Sequence, residues 1–265
     1  MSLFKCPVCN KQLLLTNNQY KCEFNHTFDI SRNNYVNLLQ SQKRKTKQHG
    51  DEKVMINARR DFLNLAYYNK FKQTLKELVY DVQHDYVLDI GCGEGTYALN
   101  IISDIKELYG IDISKEAIIA SSSLSSKMKL AVASSTKIPI IDESIDVAYC
   151  IFAPYDNSEV VRVLKKGGYF IDVYPLERHL FGLKEILYEK PYLNEVKIKE
   201  ISGMSLTKRT EIKDIIEINT NKSINDLFMM TPYYHRSPVN SMDVLKDIET
   251  LTTEIQFGFS IYKKD

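Results

Sequence analysis

Long apolar runs are missing from this chain of 265 residues. A membrane-spanning helix needs about 20 consecutive apolar residues, and no segment offers them. The first six residues, MSLFKC, lack the extended apolar stretch of a secretory signal. We therefore expect a cytoplasmic protein without a membrane partner. In that reducing compartment five cysteines do not form a disulfide framework, and clustered cysteines indicate a metal site or catalysis instead.

Acidic residues are also scarce in the first 60 positions of the chain. Residues 1–60 hold 11 Lys/Arg against 4 Asp/Glu, a net charge of +7, and the remainder carries −6. A basic front part on a mildly acidic body favours a polyanionic partner such as nucleic acid, because phosphate neutralisation supplies most sequence-independent affinity. A solvated basic surface would give the same composition. The length allows a full α/β core and a small accessory domain.

Four metal-ligand residue types lie in two short pairs near the start. Cys6 and Cys9 form a CxxC pair, and Cys22 and His26 form a CxxxH pair after a gap of 12 residues. Thiolate and imidazole in this spacing predict a closed, tetrahedral structural zinc site with no open position for catalysis. A redox CxxC is the alternative, but it normally begins a helix in a thioredoxin-like βαβ pattern, which the sequence does not show.

The segment between the two ligand pairs predicts a β-hairpin. Residues 11–20 have Asn17 and Asn18 at their centre, which places a turn there. The segment has few apolar residues, so we expect metal binding to supply much of its folding free energy, on the order of 10 kcal/mol.

A glycine-rich loop follows an apolar run at residues 87–95, VLDIGCGEG. Alternate glycines let the backbone turn and approach a ligand where a buried strand ends and a helix begins. Asp112 ends a second strand-like run, at the distance where an acidic residue meets a ribose. The dinucleotide fingerprint needs a third glycine where this chain has Thr96. The spacing therefore favours a different nucleoside cofactor.

Three segments in order resemble the class I S-adenosylmethionine methyltransferases. The GxGxG loop with Asp89 two residues before it resembles their first motif, residues 142–150 their fourth strand, and residues 164–170 the turn into their fifth. The resemblance implies an α/β, Rossmann-like fold with a mostly parallel, seven-stranded sheet. An ordinary turn would explain one glycine loop alone.

The whole chain resembles the bacterial 23S ribosomal RNA (guanine-N1)-methyltransferases with an N-terminal zinc-binding domain. The segments that carry this resemblance, between Cys6 and Pro232, are CPVC with CEFNH, FDISRNNYVNLL, ARRDFL, VLDIGCGEG, VASSTKIP, IFAP, RHL and MMTP. It implies methyl transfer from S-adenosylmethionine to N1 of a guanine in a hairpin loop of 23S rRNA. It also implies that the zinc domain helps to hold the RNA, that two copies could form a homodimer, and that one branch of the family affects the response to macrolide antibiotics.

The expected domains are a zinc-ribbon-like RNA-recognition domain (1–40), a basic linker (41–57) and the methyltransferase domain (58–265).

Apolar spacing predicts a helix from about residue 58 to 82. For Arg59 and Arg60 a solvated helix face is as good an interpretation as a functional one. The alternation of residues 255–262 predicts a last, antiparallel strand.

The cofactor should contact the glycine loop and the ends of the neighbouring strands. Asp112 is expected to accept hydrogen bonds from the ribose hydroxyls, Asp89 to orient the loop or the cofactor's ammonium, and Ser134 to lie near the adenine, where the family usually has an acidic residue. By resemblance, Tyr68 and His179 also reach the cofactor. The complete expected set is Tyr68, Asp89, Gly91, Gly93, Glu94, Gly95, Thr96, Asp112, Ser134 and His179.

The target pocket is expected where the fourth strand ends, at Phe152, Ala153, Pro154 and Tyr155, because α/β folds bind ligands at the carboxyl edge of the sheet. Phe152 or Tyr155 could stack on an extruded base. No residue stands out as the base that removes the N1 proton. A small-molecule methyltransferase and a noncatalytic zinc-ribbon RNA-binding protein remain as alternatives.

Overall fold

The computed structural model describes residues 2–40, 52–237 and 241–265. Most of the expected linker (41–57) lies outside these residues, and residues 53–57 form the beginning of the first helix. The strands are β1 (Leu14–Thr16), β2 (Gln19–Lys21), β3 (Thr27–Asp29), β4 (Tyr35–Asn37), β5 (Tyr86–Ile90), β6 (Glu107–Asp112), β7 (Met128–Val132), β8 (Ile145–Ile151), β9 (Leu164–Pro175), β10 (Met204–Ile218) and β11 (Leu251–Lys264). The helices are α1 (Lys53–Leu63), α2 (Asn69–Tyr80), α3 (Thr96–Ile101), α4 (Lys115–Ser122), α5 (Asn157–Val163), α6 (Phe181–Leu187), α7 (Asn221–Met229), α8 (Tyr233–Arg236) and α9 (Ser241–Leu245), with single 3₁₀ turns at Ala66–Tyr68 and Ile102–Asp104.

The main sheet has the order β10-β11-β9-β8-β5-β6-β7-β4. Neighbouring strands from β9 through β4 pair in parallel, while β11 pairs antiparallel with both β9 and β10. The α/β, mostly parallel fold and the last antiparallel strand are thus confirmed. The chain runs outward from β5 through β6 to β7 and then crosses to β8 on the other side of β5. The carboxyl ends of β5 and its neighbours therefore form a ligand crevice where the strand order reverses.

The sheet has eight strands instead of the expected seven. The eighth, β4, comes from the N-terminal part, and Val36 at its centre is fully buried opposite Ala131 of β7. Three residues are too few to show a strand by alternation, so this pairing could not be predicted from the sequence.

The zinc-ligand segment packs directly on one face of the sheet. Phe4 meets the ring of Tyr109 edge to face, with centroids 5.2 Å apart. Backbone hydrogen bonds join Lys5 N to the Pro139 carbonyl at 2.8 Å and Ile141 N to the Leu3 carbonyl at 2.9 Å. The ribbon and the sheet therefore share one core on this face. The other face is covered by α1, α2, α3, α6 and α7.

The helix expected from residue 58 to 82 is two helices. Leu65 adopts an extended backbone (φ −79°, ψ 161°) between α1 and the 3₁₀ turn, and α2 then begins at Asn69. Leu65 and Ala66, which fitted the helical periodicity, lie exposed. The break places Tyr68 in the core, 1% exposed.

Across the described residues, the helices are all too short or too polar to cross a lipid bilayer.

Candidate functional site

The glycine loop after β5 has the backbone that its residues predict. Gly91, Gly93 and Gly95 all have positive φ, at 74°, 55° and 85°. A Cβ on Gly91 would lie 2.5 Å from the Cβ of Ala153, and one on Gly95 would lie 2.4 Å from Ser121 Oγ. A larger residue at position 91 or 95 would therefore clash with these neighbours and would also strain the turn. The contact with Ala153 brings the segment after β8 directly against this loop.

Asp112 ties the end of β6 to the loop. Its carboxylate accepts hydrogen bonds from Gly93 N at 3.0 Å and from Ser114 N at 2.8 Å. The side chain is only partly buried, at the carboxyl edge of the sheet where the sequence predicts a ribose. Ser134, two residues beyond the end of β7, lies at the same edge and hydrogen-bonds Thr136 through its hydroxyl at 2.8 Å.

Two further carboxylates are buried beside the loop. Asp89 is 2% exposed and accepts a hydrogen bond from the Tyr149 hydroxyl at 2.9 Å. Burial raises the pKa of Asp89 to about 8, and the charges of Asp112 and Glu94 add to the shift. Burial also raises the pKa of Glu94, against the opposing charge of Arg59. Such clustered acids suit a ligand that carries positive charge.

Three predicted residues that are distant in sequence meet around one ring, Phe257. Centroid distances to this ring are 5.1 Å for Tyr68, 4.7 Å for His179 and 5.7 Å for Phe152. The Tyr68 hydroxyl is buried and has no hydrogen-bond partner among the described residues. A buried hydroxyl without a partner is costly in an apolar core and is a donor or acceptor that a bound ligand would satisfy.

The tautomer of His179 is fixed by the backbone. Its Nδ1 accepts a hydrogen bond from Gln256 N at 3.1 Å. Burial, aided by the charge of Lys184, lowers the pKa of His179 to about 3, so the ring is neutral. A neutral ring whose Nδ1 accepts must carry its proton on Nε2. His179 is therefore a hydrogen-bond donor at Nε2.

Phe152 has a strained backbone at the rim of this cluster. Its φ is +56°, a conformation that bulky residues rarely adopt, and its side chain remains 46% exposed. Leu180, next to His179, also has a positive φ, of 57°. Strained, exposed aromatic residues are typical of ligand sites, where the surrounding structure holds them in place.

The remaining predicted pocket residues divide between two places. Ala153 touches the glycine loop, and Pro154 is exposed next to it. Tyr155 points elsewhere: its ring packs edge to face on Phe170 at 4.9 Å, with Lys199 Nζ 3.8 Å from the ring centroid. The structure thus brings Phe152 and Ala153 to the cofactor loop and leaves the ring of Tyr155 in the core under the opposite face.

Sequence reasoning missed three residues that shape the site. Tyr149 and Phe257 lie inside strands, where their apolar character indicated only a core role. Arg59 lies in the ARRDFL segment, and its Nη1 is 3.6 Å from the position of a Cβ on Gly93. For both arginines the sequence allowed a solvated position on the helix surface. Arg60 is exposed and fits that interpretation, whereas Arg59 is half-buried over the loop.

The four predicted metal ligands converge on the ribbon. Their ligand atoms all lie within 4.8 Å of one another. Cys9 Sγ is 3.6 Å from Cys22 Sγ, and His26 Nδ1 is 3.6 Å from Cys6 Sγ and 3.3 Å from Cys22 Sγ. A tetrahedron with Zn–S bonds of about 2.3 Å has sulfur–sulfur edges of about 3.8 Å, so the donor set and the spacing fit zinc.

Asparagines at positive φ make the turns of the ribbon. Asn10 (φ 61°) follows the first ligand pair, and its N donates to the Cys6 carbonyl at 2.9 Å. Asn25 (φ 63°) lies within the second pair, and its N donates to the Cys22 carbonyl at 3.0 Å. Asn17 and Asn18 (φ 46° and 62°) join β1 to β2, as the hairpin prediction requires. The hairpin is confirmed.

Comparisons with known proteins agree with these sites. Residues 4–47 match the zinc-ribbon family described as RlmA, N-terminal, and residues 88–172 match a methyltransferase domain family. The Bacillus subtilis protein YxjB, named as a candidate 23S rRNA (guanine-N1)-methyltransferase, is 27% identical over 99% of this chain and 98% of its own. The 23S rRNA (guanine(748)-N1)-methyltransferase of Streptomyces fradiae is 30% identical over 69% of this chain and 67% of its own.

One solved structure shows the same fold. It is a Haloferax volcanii complex of the Trm112 methyltransferase activator with a candidate methyltransferase, and the match covers 82% of this chain and 99% of that one, at 16% identity and a TM-score of 0.50. The zinc-ribbon match, the methyltransferase-domain match and the relatives that align along the chain all indicate the same family. The chain belongs to the family of 23S rRNA (guanine-N1)-methyltransferases with an N-terminal zinc ribbon.

Proposed function

We propose that this protein transfers a methyl group from S-adenosylmethionine to N1 of a guanine in a hairpin loop of 23S rRNA, in the bacterial cytoplasm. The observation that carries the proposal is the contact between Gly91 and Ala153. This contact supports the proposal because Phe152, the exposed aromatic residue that precedes Ala153, would then present its ring to a base next to the cofactor loop. The relatives from Bacillus subtilis and Streptomyces fradiae support the RNA substrate.

The cofactor side consists of residues that fit a nucleoside with a positively charged amino-acid end. Asp112 would hold the ribose hydroxyls, the backbone of residues 91–96 would shape the methionine side, and Asp89 would face the ammonium. The hydroxyl of Tyr68 and the Nε2–H of His179 would complete the hydrogen bonds. When bound, S-adenosylmethionine supplies a methyl group on a sulfonium, ready for in-line displacement.

The target side would hold the base against Phe152. Stacking of a base on an aromatic ring contributes about 1–3 kcal/mol, which offsets part of the few kcal/mol that extrusion costs. A hairpin loop lowers that cost because its bases are less well stacked than in a duplex. Pro154, exposed next to Phe152, stays in the proposed pocket, whereas the ring of Tyr155 packs on Phe170 and does not line it.

Positioning supplies most of the rate in this proposal. A well-oriented reaction gains up to roughly 7–11 kcal/mol from the fixed geometry of its reactants. Guanine N1 must also lose a proton. His179 does not accept it, because its Nδ1 is occupied by Gln256 N and its Nε2 already carries a proton.

The zinc ribbon would hold the RNA and bring two copies together. Its exposed side includes large apolar side chains that a partner could cover: Val8, Leu14, Leu15 and Phe24. We propose residues 1–40 as the RNA-recognition part, 41–57 as a basic linker and 58–265 as the methyltransferase part. β4, which belongs to the first part, nevertheless joins the main sheet and anchors that part to the third.

The test is transfer of tritiated methyl groups from S-adenosylmethionine to 23S rRNA that lacks the modification. The proposal expects label in the RNA with the wild-type protein and none with Asp112→Ala. Label in a small-molecule fraction and none in RNA would favour a small-molecule methyltransferase. Binding of RNA without cofactor affinity would favour a noncatalytic RNA-binding protein.

A further inference from the structure

Arg59 lies over the cofactor loop in a fixed position. It comes from the last two turns of α1, and its Nη2 donates to the Met230 carbonyl at 3.2 Å, just beyond α7. Its Nη1 lies 3.6 Å from the position that a Cβ on Gly93 would occupy. A guanidinium held by its own helix and by a second element is positioned to bind a ligand at the loop.

The charges around Arg59 are of both signs. Asp89 and Glu94 are buried beside the loop, and the positive charge of Arg59 acts on Glu94. Lys72 also faces Glu94 and donates to the Leu63 carbonyl. A site that presents buried acids on one side and a guanidinium on the other complements a zwitterion.

The amino-acid end of S-adenosylmethionine is such a zwitterion. Its ammonium needs acceptors, which Asp89 and Glu94 provide, and its carboxylate needs a donor. A planar guanidinium has five N–H donors, so Arg59 can donate to the Met230 carbonyl and to a carboxylate at the same time. Arginine is suited to this task because its fork matches the geometry of a carboxylate.

We propose that Arg59 binds the carboxylate of the cofactor's methionine and so determines recognition of the amino-acid end. The inference rests on the proposed function only in assuming S-adenosylmethionine as cofactor. Arg60, one residue later, is exposed and lies 3.5 Å from Asp61 in an ion pair, so it serves as a matched control.

Calorimetric titration with two ligands tests the assignment. The first is S-adenosylhomocysteine, and the second is its decarboxylated analogue, which keeps the thioether and the ammonium. Arg59→Gln should weaken binding of the first roughly 10- to 100-fold, as loss of a charge-assisted contact does, and of the second less than about threefold. Arg59→Lys should lie between wild type and Arg59→Gln, and Arg60→Gln should change both affinities less than about twofold.

The outcomes separate the possible roles. Equal losses for both ligands in Arg59→Gln would mean that Arg59 only shapes the loop, and no loss for either would remove it from the site. Each result overturns the assignment. Circular dichroism of each variant confirms folding, and Arg59→Lys keeps the test valid if Arg59→Gln does not fold. A wild-type protein that binds neither ligand would instead contradict the proposed function itself.

Discussion

At the scale of single residues, the site holds its acids at a cost in stability. Asp89 is buried with a pKa of about 8, although an exposed aspartate ionises near pH 4. Below about pH 4 the group is protonated in both the folded and the unfolded state. Between about pH 4 and pH 8 the unfolded state loses its proton first. The ligand-free protein should therefore lose stability across this range.

Asp89→Asn should remove that dependence. The amide still accepts a hydrogen bond from Tyr149 but does not ionise, so we expect the ligand-free variant to be at least about 1 kcal/mol more stable than wild type at pH 8. The difference should shrink towards pH 4. Urea unfolding at pH 4.5 and pH 8 measures it. The same variant should bind S-adenosylhomocysteine more weakly, and a variant that is less stable at pH 8 and binds normally would contradict this role.

Phe152 should matter for the acceptor and not for the cofactor. Phe152→Ala removes the exposed ring, so we expect RNA methylation to fall roughly 10- to 100-fold, as loss of one base-stacking contact does. Affinity for S-adenosylhomocysteine, measured by titration, should stay within about twofold. Ile215→Ala removes another exposed apolar side chain, 68% exposed on β10, and is the control. An unchanged methylation rate in Phe152→Ala would remove this ring from the target pocket.

At the scale of elements, the ribbon depends on its metal and on the sheet. Cys22→Ser removes one of four ligands, so bound zinc measured by atomic emission should fall from about one per chain to about zero. RNA affinity should fall with it, because the ribbon loses its shape. The cofactor site lies on other elements, so S-adenosylhomocysteine affinity should be largely kept. The ribbon shares a core with the sheet through Phe4 and Tyr109, so the thermal midpoint should also fall.

Cys150→Ala provides the matched control for that variant. Cys150 is buried in β8 and is not one of the four clustered ligands, so zinc content should be unchanged. Equal RNA affinity in wild type and zinc-free Cys22→Ser would refute the proposed grip of the ribbon on RNA.

Sequence predicted these elements best where local chemistry decides their structure. The positive φ angles of Asn17 and Asn18 and of Gly91, Gly93 and Gly95 are demands of single turns, and the residue types reveal them. The strand β4 could not be found in this way, because three residues become a strand only through pairing with β7. The end of α1 was missed for a similar reason, since apolar spacing continues across Leu65 while the backbone does not.

At the scale of the whole molecule, the site is assembled from positions far apart in the chain. Four aromatic residues meet only because the 3₁₀ turn at Ala66–Tyr68, the segments after β8 and β9, and β11 come together: Tyr68, Phe152, His179 and Phe257. The family resemblance suggested functional roles for Tyr68 and His179, and the position after the fourth strand suggested one for Phe152, but no spacing in the sequence indicates the contacts. Arg59 shows the same limit, because its partner Met230 is 171 residues away.

The charge distribution has a meaning at this scale too. The basic residues of the first 60 positions and the acidic remainder belong to one chain in which the ribbon packs against the sheet. In the proposed function the basic first part attracts phosphate, and the buried acids beside the glycine loop receive the cofactor's positive charge. The ribbon and the main sheet share a common core through contacts such as that of Phe4 with Tyr109.

The most direct measurement is identification of the methylated nucleoside. 23S rRNA methylated by the purified protein would be digested to nucleosides and resolved by chromatography and mass spectrometry against standards. The account predicts 1-methylguanosine as the product, carrying the label at one guanine of a hairpin loop. Label in 7-methylguanosine, in a 2′-O-methylated nucleoside or in another base would contradict the central claim that guanine N1 is the acceptor.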